Sequence, residues 1–264
     1  MVLLLVAALV GIGVVVALKL NRPTEAAPVH DLEGYDFLLK AAQATNELPA
    51  LQSTIQIGTE ATLTSRNNTM DITGVLDLNR QSGKANLLLN TVGTSEMDST
   101  QDFEVTTQLF SDGQKVYERS GVQTTESSIP LAEFQEACDG YQIELFAPEL
   151  VRTHNVSIAP DEAGTSTLVY YLTALPEPIL ASVVSQYETL LEQTIVAEDI
   201  QVTKAQFAYV VQGGLVTSQN IRIATTYQAD LQQSAYQSVS QISLTQSGQG
   251  YDFSLPPLPP STEQ

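Results

Sequence analysis

The residues able to do chemistry are few and scattered. The chain holds two histidines, His30 and His154, and a single cysteine, Cys138. A metal site needs three or four His, Cys or carboxylate ligands converging on one ion, which two distant imidazoles do not supply. No phosphate-cradling glycine loop, HExxH pair, CxxC spacing or nucleophile elbow occurs in the sequence. The chain has 30 acidic residues, so adjacent carboxylates such as Asp161–Glu162 arise by chance, here in a turn where solvation is the simpler reading. Cys138 has no partner for an intrachain disulfide and reads as a small buried hydrophobe. The sequence therefore leads us to expect a protein that is not an enzyme and uses no metal or cofactor.

Charge narrows the partners. Against the 30 acidic residues stand 11 basic ones, a net charge of −19. Such a chain lacks the cations that replace counterions on a phosphate backbone, so no nucleic-acid partner is expected. Hydrophobic residues make up 43% of the 264, enough for a real core. No protein partner can be read from the sequence.

The elements that organise this composition begin with Val2–Leu18, an apolar run with no polar side chain. Roughly 17 to 25 helical residues cross a hydrocarbon core. A cleaved signal would need a basic start and a small-residue exit site; nothing basic precedes the run, and the first small pair of that kind, Ala26–Ala27, lies beyond Lys19 and Arg22. We expect an N-terminal transmembrane anchor over residues 1–20, partnering the membrane through its helix. Lys19 and Arg22 follow the span, which by the positive-inside bias would hold the rest in the cytoplasm. Large domains cross largely regardless of charge, and an extracytoplasmic domain at the cell membrane is the expectation favoured here.

Residues 21–34, with Pro23 and Pro28, read as a polar tether. Asp36–Asn46 has helical spacing through Phe37, Leu38, Ala41 and Ala42. After Pro49 the pattern changes to a period of two. In Leu51–Arg66 the odd positions Leu51, Ile55, Ile57, Ala61 and Leu63 alternate with polar residues or glycine, predicting a strand of an antiparallel sheet wet on one face. Asn67–Asn68 is expected to turn the chain. Met70–Leu78, Ala85–Val92 and a strand bearing Phe103, Val105 and Leu109 continue a meander, and Ser111-Asp112-Gly113 leads into Lys115–Arg119 as a hairpin. Leu131–Cys138 and Ile143–Val151 are short helical candidates. Thr153–Ile158 and Ser166–Leu172 pair around Asp161–Gly164. The clearest helix is Pro178–Thr194, whose stripe of Ile179, Leu180, Val183, Val184, Tyr187, Leu190 and Leu191 needs an apolar surface to cover. A hairpin follows at Gly213–Gly214, with Leu215, Ile221, Ile223 and Tyr227 on one face of the return strand, and Tyr236–Thr245 adds a last strand. The proline-rich end cannot join a sheet interior.

This order resembles the LolA-like lipoprotein superfamily, which includes the mycobacterial LppX/LprG-type proteins and related uncharacterised Firmicute lipoproteins. The resemblance rests on the helix-to-strand entry FLLKAAQATNELPALQSTIQIG, the hairpin SDGQKVYERS ending in a tyrosine strand, and the closing GYDFSLPPLP, and runs over about Glu33–Pro257. The lipobox cysteine of the lipoprotein members is absent, and the apolar run stands in its place. The resemblance implies an α+β, mostly β fold: a strongly curved antiparallel sheet, an unclosed half-barrel, covered by helices on its concave side. The domain would occupy 35–257, with 258–264 as a Pro-rich tail.

One-sided strands need a cover for their apolar face, and where cover and sheet do not fully meet an apolar cavity remains. The residues expected to line it are Ile55, Ile57, Leu63, Ile72, Leu76, Leu87, Leu89, Phe103, Val105 and Leu109, then Val183, Val184, Tyr187 and Leu191 of the helix, and Ile221 and Ile223. Such a cavity would bind a lipid or other hydrophobic ligand. The other reading is a cell-surface interaction or sensory module with no small-molecule ligand, its interior filled by its own side chains.

Overall fold

The computed structural model describes residues 32–63, 66–96, 102–139, 141, 153–158, 164–172, 174–191, 193–229, 232–248 and 251–259. The Val2–Leu18 run, the Ile143–Val151 segment and most of the tether lie outside them. Among the described residues no helix is long and apolar enough to cross a membrane.

The period-two segments form one open antiparallel sheet of eleven strands. The strands are β1 (Ala50–Leu63), β2 (Arg66–Asn79), β3 (Lys84–Ser95), β4 (Phe103–Asp112), β5 (Val116–Ser120), β6 (Gln123–Glu126), β7 (Thr153–Ile158), β8 (Thr165–Tyr171), β9 (Ile200–Gln212), β10 (Leu215–Ala229) and β11 (Gln232–Ser247). Their order is β6-β5-β4-β3-β2-β1-β11-β10-β9-β8-β7. The first strand therefore pairs with the last at the centre of the sheet, and a meander runs outward on each side. Three α-helices accompany the strands among the described residues: α1 (Leu32–Asn46), α2 (Leu131–Asp139) and α3 (Glu177–Leu191).

Alternation places the core on one face. Directly opposed residues of an antiparallel pair share a face, so the pairs Ile57↔Ile72, Ile57↔Ser240 and Ile221↔Ser240 put these side chains on the same side. Two separate hydrophobic clusters form there. One joins Leu38, Ala41 and Ala42 of α1 and Ile179, Val183 and Tyr187 of α3 to Leu168, Phe207, Tyr209, Val211 and Ile223. The other joins Phe134 and Cys138 of α2 to Ile55, Ile72, Leu76, Leu87 and Leu89. Cys138 is fully buried, and burial pushes its thiol pKa well up, so it is the inert hydrophobe its isolation suggested.

Tight turns explain the hairpins. At Gly213 and Gly214, φ is 61° and 79°, the left-handed pair that a two-residue hairpin of this kind requires. In SDGQKVYERS, Asp112 Oδ1 accepts the Gln114 and Lys115 amides at 2.8 and 2.9 Å, and the Tyr117 hydroxyl donates to Oδ2 at 3.1 Å. Burial alone would raise the Asp112 pKa, but these donors outweigh it and hold the carboxyl below its usual value.

Several expectations are corrected. Asn67 and Asn68 do not turn the chain. They lie in β2 opposite Thr62 and Ala61, where Thr62 Oγ1 donates to Asn67 Oδ1 at 2.7 Å and Ser95 Oγ to Asn68 Oδ1 at 2.8 Å. Cross-strand side-chain bonds give these asparagines what a turn would otherwise supply. Helix α1 starts at Leu32, inside the stretch read as tether, and α3 stops at Leu191 rather than Thr194. Strand β11 is longer at both ends than Tyr236–Thr245, and the short edge strand β6 carries too little apolar patterning to be visible in the sequence.

The opposite face is not simply wet. Asp77 is only 7% exposed there. It accepts Gln52 Nε2 at 2.8 Å, Asn86 Nδ2 at 3.1 Å and the hydroxyl of Tyr251. Gln108 donates to Asn86 at 2.9 Å and Thr245 to Gln52 Oε1 at 2.9 Å, so the network spans β11, β1, β2, β3 and β4. The chain leaves β11 at Gly248 (φ 108°), whose amide donates to the Ala50 carbonyl, and Tyr251 stacks on Phe253 with ring centres 6.1 Å apart. Burial, and then the bond to Asp77, push the Tyr251 hydroxyl pKa up. Gln52, which alternation assigned to water, is thus a structural donor to a buried carboxylate.

The two faces of β1 should respond differently to truncation. Ile55→Ala, at a side chain 1% exposed, is expected to cost about 2–5 kcal/mol of stability as a buried large-to-small change. Gln56→Ala, on the exposed side, should stay within about 0.5 kcal/mol. Urea unfolding midpoints check both, and equal losses would refute the register.

Candidate ligand-binding face

The helix-covered face can be followed in rows that cross the sheet. One runs Val105, Thr91, Ile72, Ile57, Ser240, Ile221, Phe207, Tyr170 through β4-β3-β2-β1-β11-β10-β9-β8. The next runs Phe103, Gly93, Met70, Thr59, Ser238, Ile223, Ala205. In both, the two hydrophobic clusters meet at β11, and the residues between them are hydroxyls.

Most sequence-predicted residues fall on this face. Ile55, Ile72, Leu76, Leu87, Leu89, Val183, Tyr187 and Ile223 are buried within one cluster or the other. Their surfaces are taken up by packing against neighbours. Ile57, Leu109, Val184 and Ile221 are half-buried and lie against the edges of the clusters. Phe103 and Val105 are half-buried on β4. The side chains of Leu63 and Leu191 lie outside the described residues. The expected set therefore divides into core proper and a partly open band, and the band is the candidate site.

Local sequence shapes this band. Gly93 stands opposite Phe103, and a Cβ on Gly93 would fall 2.3 Å from the Phe103 ring. The ring occupies the space a side chain would fill, so glycine lets an aromatic lie flat along the sheet. Gly74 acts similarly, since a Cβ there would meet the Leu88 carbonyl at 2.4 Å and Leu89 Cδ2 at 2.6 Å.

Sequence reasoning missed the polar residues of this face. Thr225 and Ser234 are each 1% exposed, and Gln219 is buried on β10. Tyr187 reaches from α3 so that its hydroxyl donates to the Thr225 carbonyl at 3.1 Å, with Thr225 Oγ1 also at 3.1 Å. Its ring lies 5.7 Å from Tyr227 and 6.3 Å from Tyr236. Burial raises the pKa of both Tyr187 and Tyr236, so each is a neutral donor. Serines at Ser234, Ser238 and Ser240, alternating with the opposite face, were the available signal. Glu188 of α3 accepts the Ile195 amide at 3.3 Å and closes the loop after the helix.

No protein-family model and no curated protein matches the sequence. Among solved structures the chain is similar to LprF from Mycobacterium bovis, at 11% identity over 87% of this chain and 99% of that one, with a TM-score of 0.32. LprF is of the LppX/LprG-like kind that the sequence resembles. The chain is also similar to lipovitellin, a structure described by its lipid–protein interactions, at 9% identity over 79% of this chain and 26% of that one, TM-score 0.36. A third is a DUF1329 family protein from Desulfovibrio piger, at 9% identity over 84% and 93%, TM-score 0.23. These likenesses are of architecture alone.

The Tyr187–Thr225 contact ties α3 to the sheet beside the band. Tyr187→Phe leaves the Thr225 carbonyl short of a donor and is expected to cost about 1–3 kcal/mol. The measurement is the denaturation midpoint, which should fall with no change in secondary structure by circular dichroism.

Proposed function

We propose that this is a membrane-anchored extracytoplasmic protein that binds a lipid or other hydrophobic ligand on the helix-covered face of its sheet, and that it catalyses no reaction. The observation that carries the reading is the incomplete burial of Ile57, Met70, Phe103, Val105, Val184 and Ile221 between or beside two finished hydrophobic clusters. A core that needed only stability would bring its two halves together and bury these side chains. Aliphatic and aromatic surface left between rigid halves is what an apolar ligand requires.

Two further features support it. Sheets of more than about ten strands rarely stay open without curling, because each strand adds its right-handed twist. Curling of a sheet this wide toward its helices would make the band the floor of a concavity. The uncharged Val2–Leu18 run is long enough to hold the domain at a bilayer, where apolar ligands are found.

Native mass spectrometry of the full chain extracted from membranes in mild detergent tests the proposal. The expected result is a bound species of lipid mass on the wild-type protein, lost from Val184→Asp, which places a carboxylate in the band, and retained by Ala181→Asp on the exposed side of α3. A wild-type protein that carries no lipid and takes none up from added vesicles would overturn it.

A further inference from the structure

The proline-rich stretch after β11 has a conformation set by its own residues. Pro256, Pro257 and Pro259 have no amide hydrogen, so this stretch cannot add to a strand ladder. A proline ring holds φ at about −65°, and each proline keeps the residue before it, here Leu255, Pro256 and Leu258, in extended or polyproline II backbone. The result is a left-handed polyproline II course with about three residues per turn and no internal hydrogen bonds. Exposure follows that period. Phe253, Pro256 and Pro259, spaced by three, are half-buried, with Leu255 half-buried beside them. Ser254, Pro257 and Leu258 are exposed, Leu258 at 49%. One ridge faces the domain, and proline and leucine are displayed to water.

The stretch is also held at its start. Tyr251 donates to Asp77 and accepts from Gln52 Nε2 at 3.2 Å, and its ring stacks on Phe253. Strand register puts Gln52, Asp77, Asn86, Phe110 and Tyr117 in one row of the outer face. Phe110 and Tyr117 stack there with ring centres 5.3 Å apart and are buried, although they belong to neither helix-covered cluster. The chain enters residues 254–259 from this fixed point, so much of the ordering that binding costs a free peptide is already made.

Polyproline II segments are read by grooves of aromatic side chains, which pack on the proline rings of a backbone already in its bound form. An exposed proline–leucine ridge on a pre-ordered backbone fits that mode of recognition. Asp252 is exposed beside it, on a chain of net charge −19, so basic residues at the groove's rim favour the encounter. We propose that residues 254–259 are a docking element, a pre-formed polyproline II ligand for a protein module with an aromatic groove and a basic rim. Its anchor, Tyr251, is on the face opposite the apolar band, and the docking element does not depend on what the band binds.

Photo-crosslinking of the full chain, in the cells that make it, tests the proposal. Leu258→benzoylphenylalanine is expected to capture a protein at a peptide carrying Tyr or Trp, and Gln56→benzoylphenylalanine, exposed on the same face but away from the segment, is expected not to capture it. The captured protein is then purified and titrated against the full chain in mild detergent. Pro257→Ala/Leu258→Ala is expected to weaken binding by about tenfold, as truncation of a central anchor does, and alanine at the crosslinked aromatic should do the same. Asp252→Lys should weaken binding most at low salt. The double variant should melt with the parent, since both side chains face out. Capture of no protein, capture of lipid alone or of a second copy of this chain alone, or binding left unchanged by the double variant overturns the proposal. A double variant that melts well below the parent overturns it too, because the ridge would then belong to the fold.

Discussion

Everything in this molecule depends on how one apolar sheet face is kept from water. Eleven strands present that face, and the three helices among the described residues lie against it in two places. The cover is therefore divided: α1 and α3 serve one half of the sheet and α2 the other, and each completes its own cluster. The pairing of β1 with β11 fixes the line along which the two halves meet. Hydrophobic burial is favourable wherever it is available, so the band left at that line is the informative exception, and the hydroxyls of β11 are placed where neither cluster needs carbon.

The other face solves a different problem. Asp77 would be a costly residue in the middle of a sheet, yet it is held by donors from Gln52, Asn86 and Tyr251. The last of these comes from beyond β11, so the closing segment GYDFSLPPLP is joined to the meander at β2. Among the strands this network touches are both members of the central pair, β1 and β11. It braces the sheet from behind the buried rows of Leu51, Leu76, Leu78 and Leu87, at the end of the central pair away from the half-buried band.

Much of the architecture was legible in the residues. The alternation of Ile55, Ile57, Ile72 and Leu76, the glycine pair after Gln212 and the aliphatic stripe of α3 each follow from a local period or a local dihedral requirement, and each predicted its element. The site was legible only as a set of apolar positions. Nothing in the sequence distinguishes Ile55, sealed within a cluster, from Ile57, two residues on and half open, because that difference is set by tertiary neighbours: Ile55 stands opposite the buried Ile242 and Ile57 opposite Ser240. The Asp77 network was invisible for a similar reason: Gln52, Asp77, Asn86 and Tyr251 come together only through strand register and the return of the tail. Asn67–Asn68 misled because asparagine favours turns through local hydrogen bonds, and here cross-strand partners satisfied it instead.

The central claim is that an apolar ligand lies against the line where the two clusters meet. Methyl-labelled isoleucine in the intact protein, bound to a lipid with protonated acyl chains, tests it directly by nuclear Overhauser contacts between chain and protein. The account predicts contacts from the acyl chain to the methyls of Ile57 and Ile221, and none to Ile55, which is sealed within its cluster. Acyl contacts absent from both Ile57 and Ile221 in a protein shown to hold lipid would contradict it.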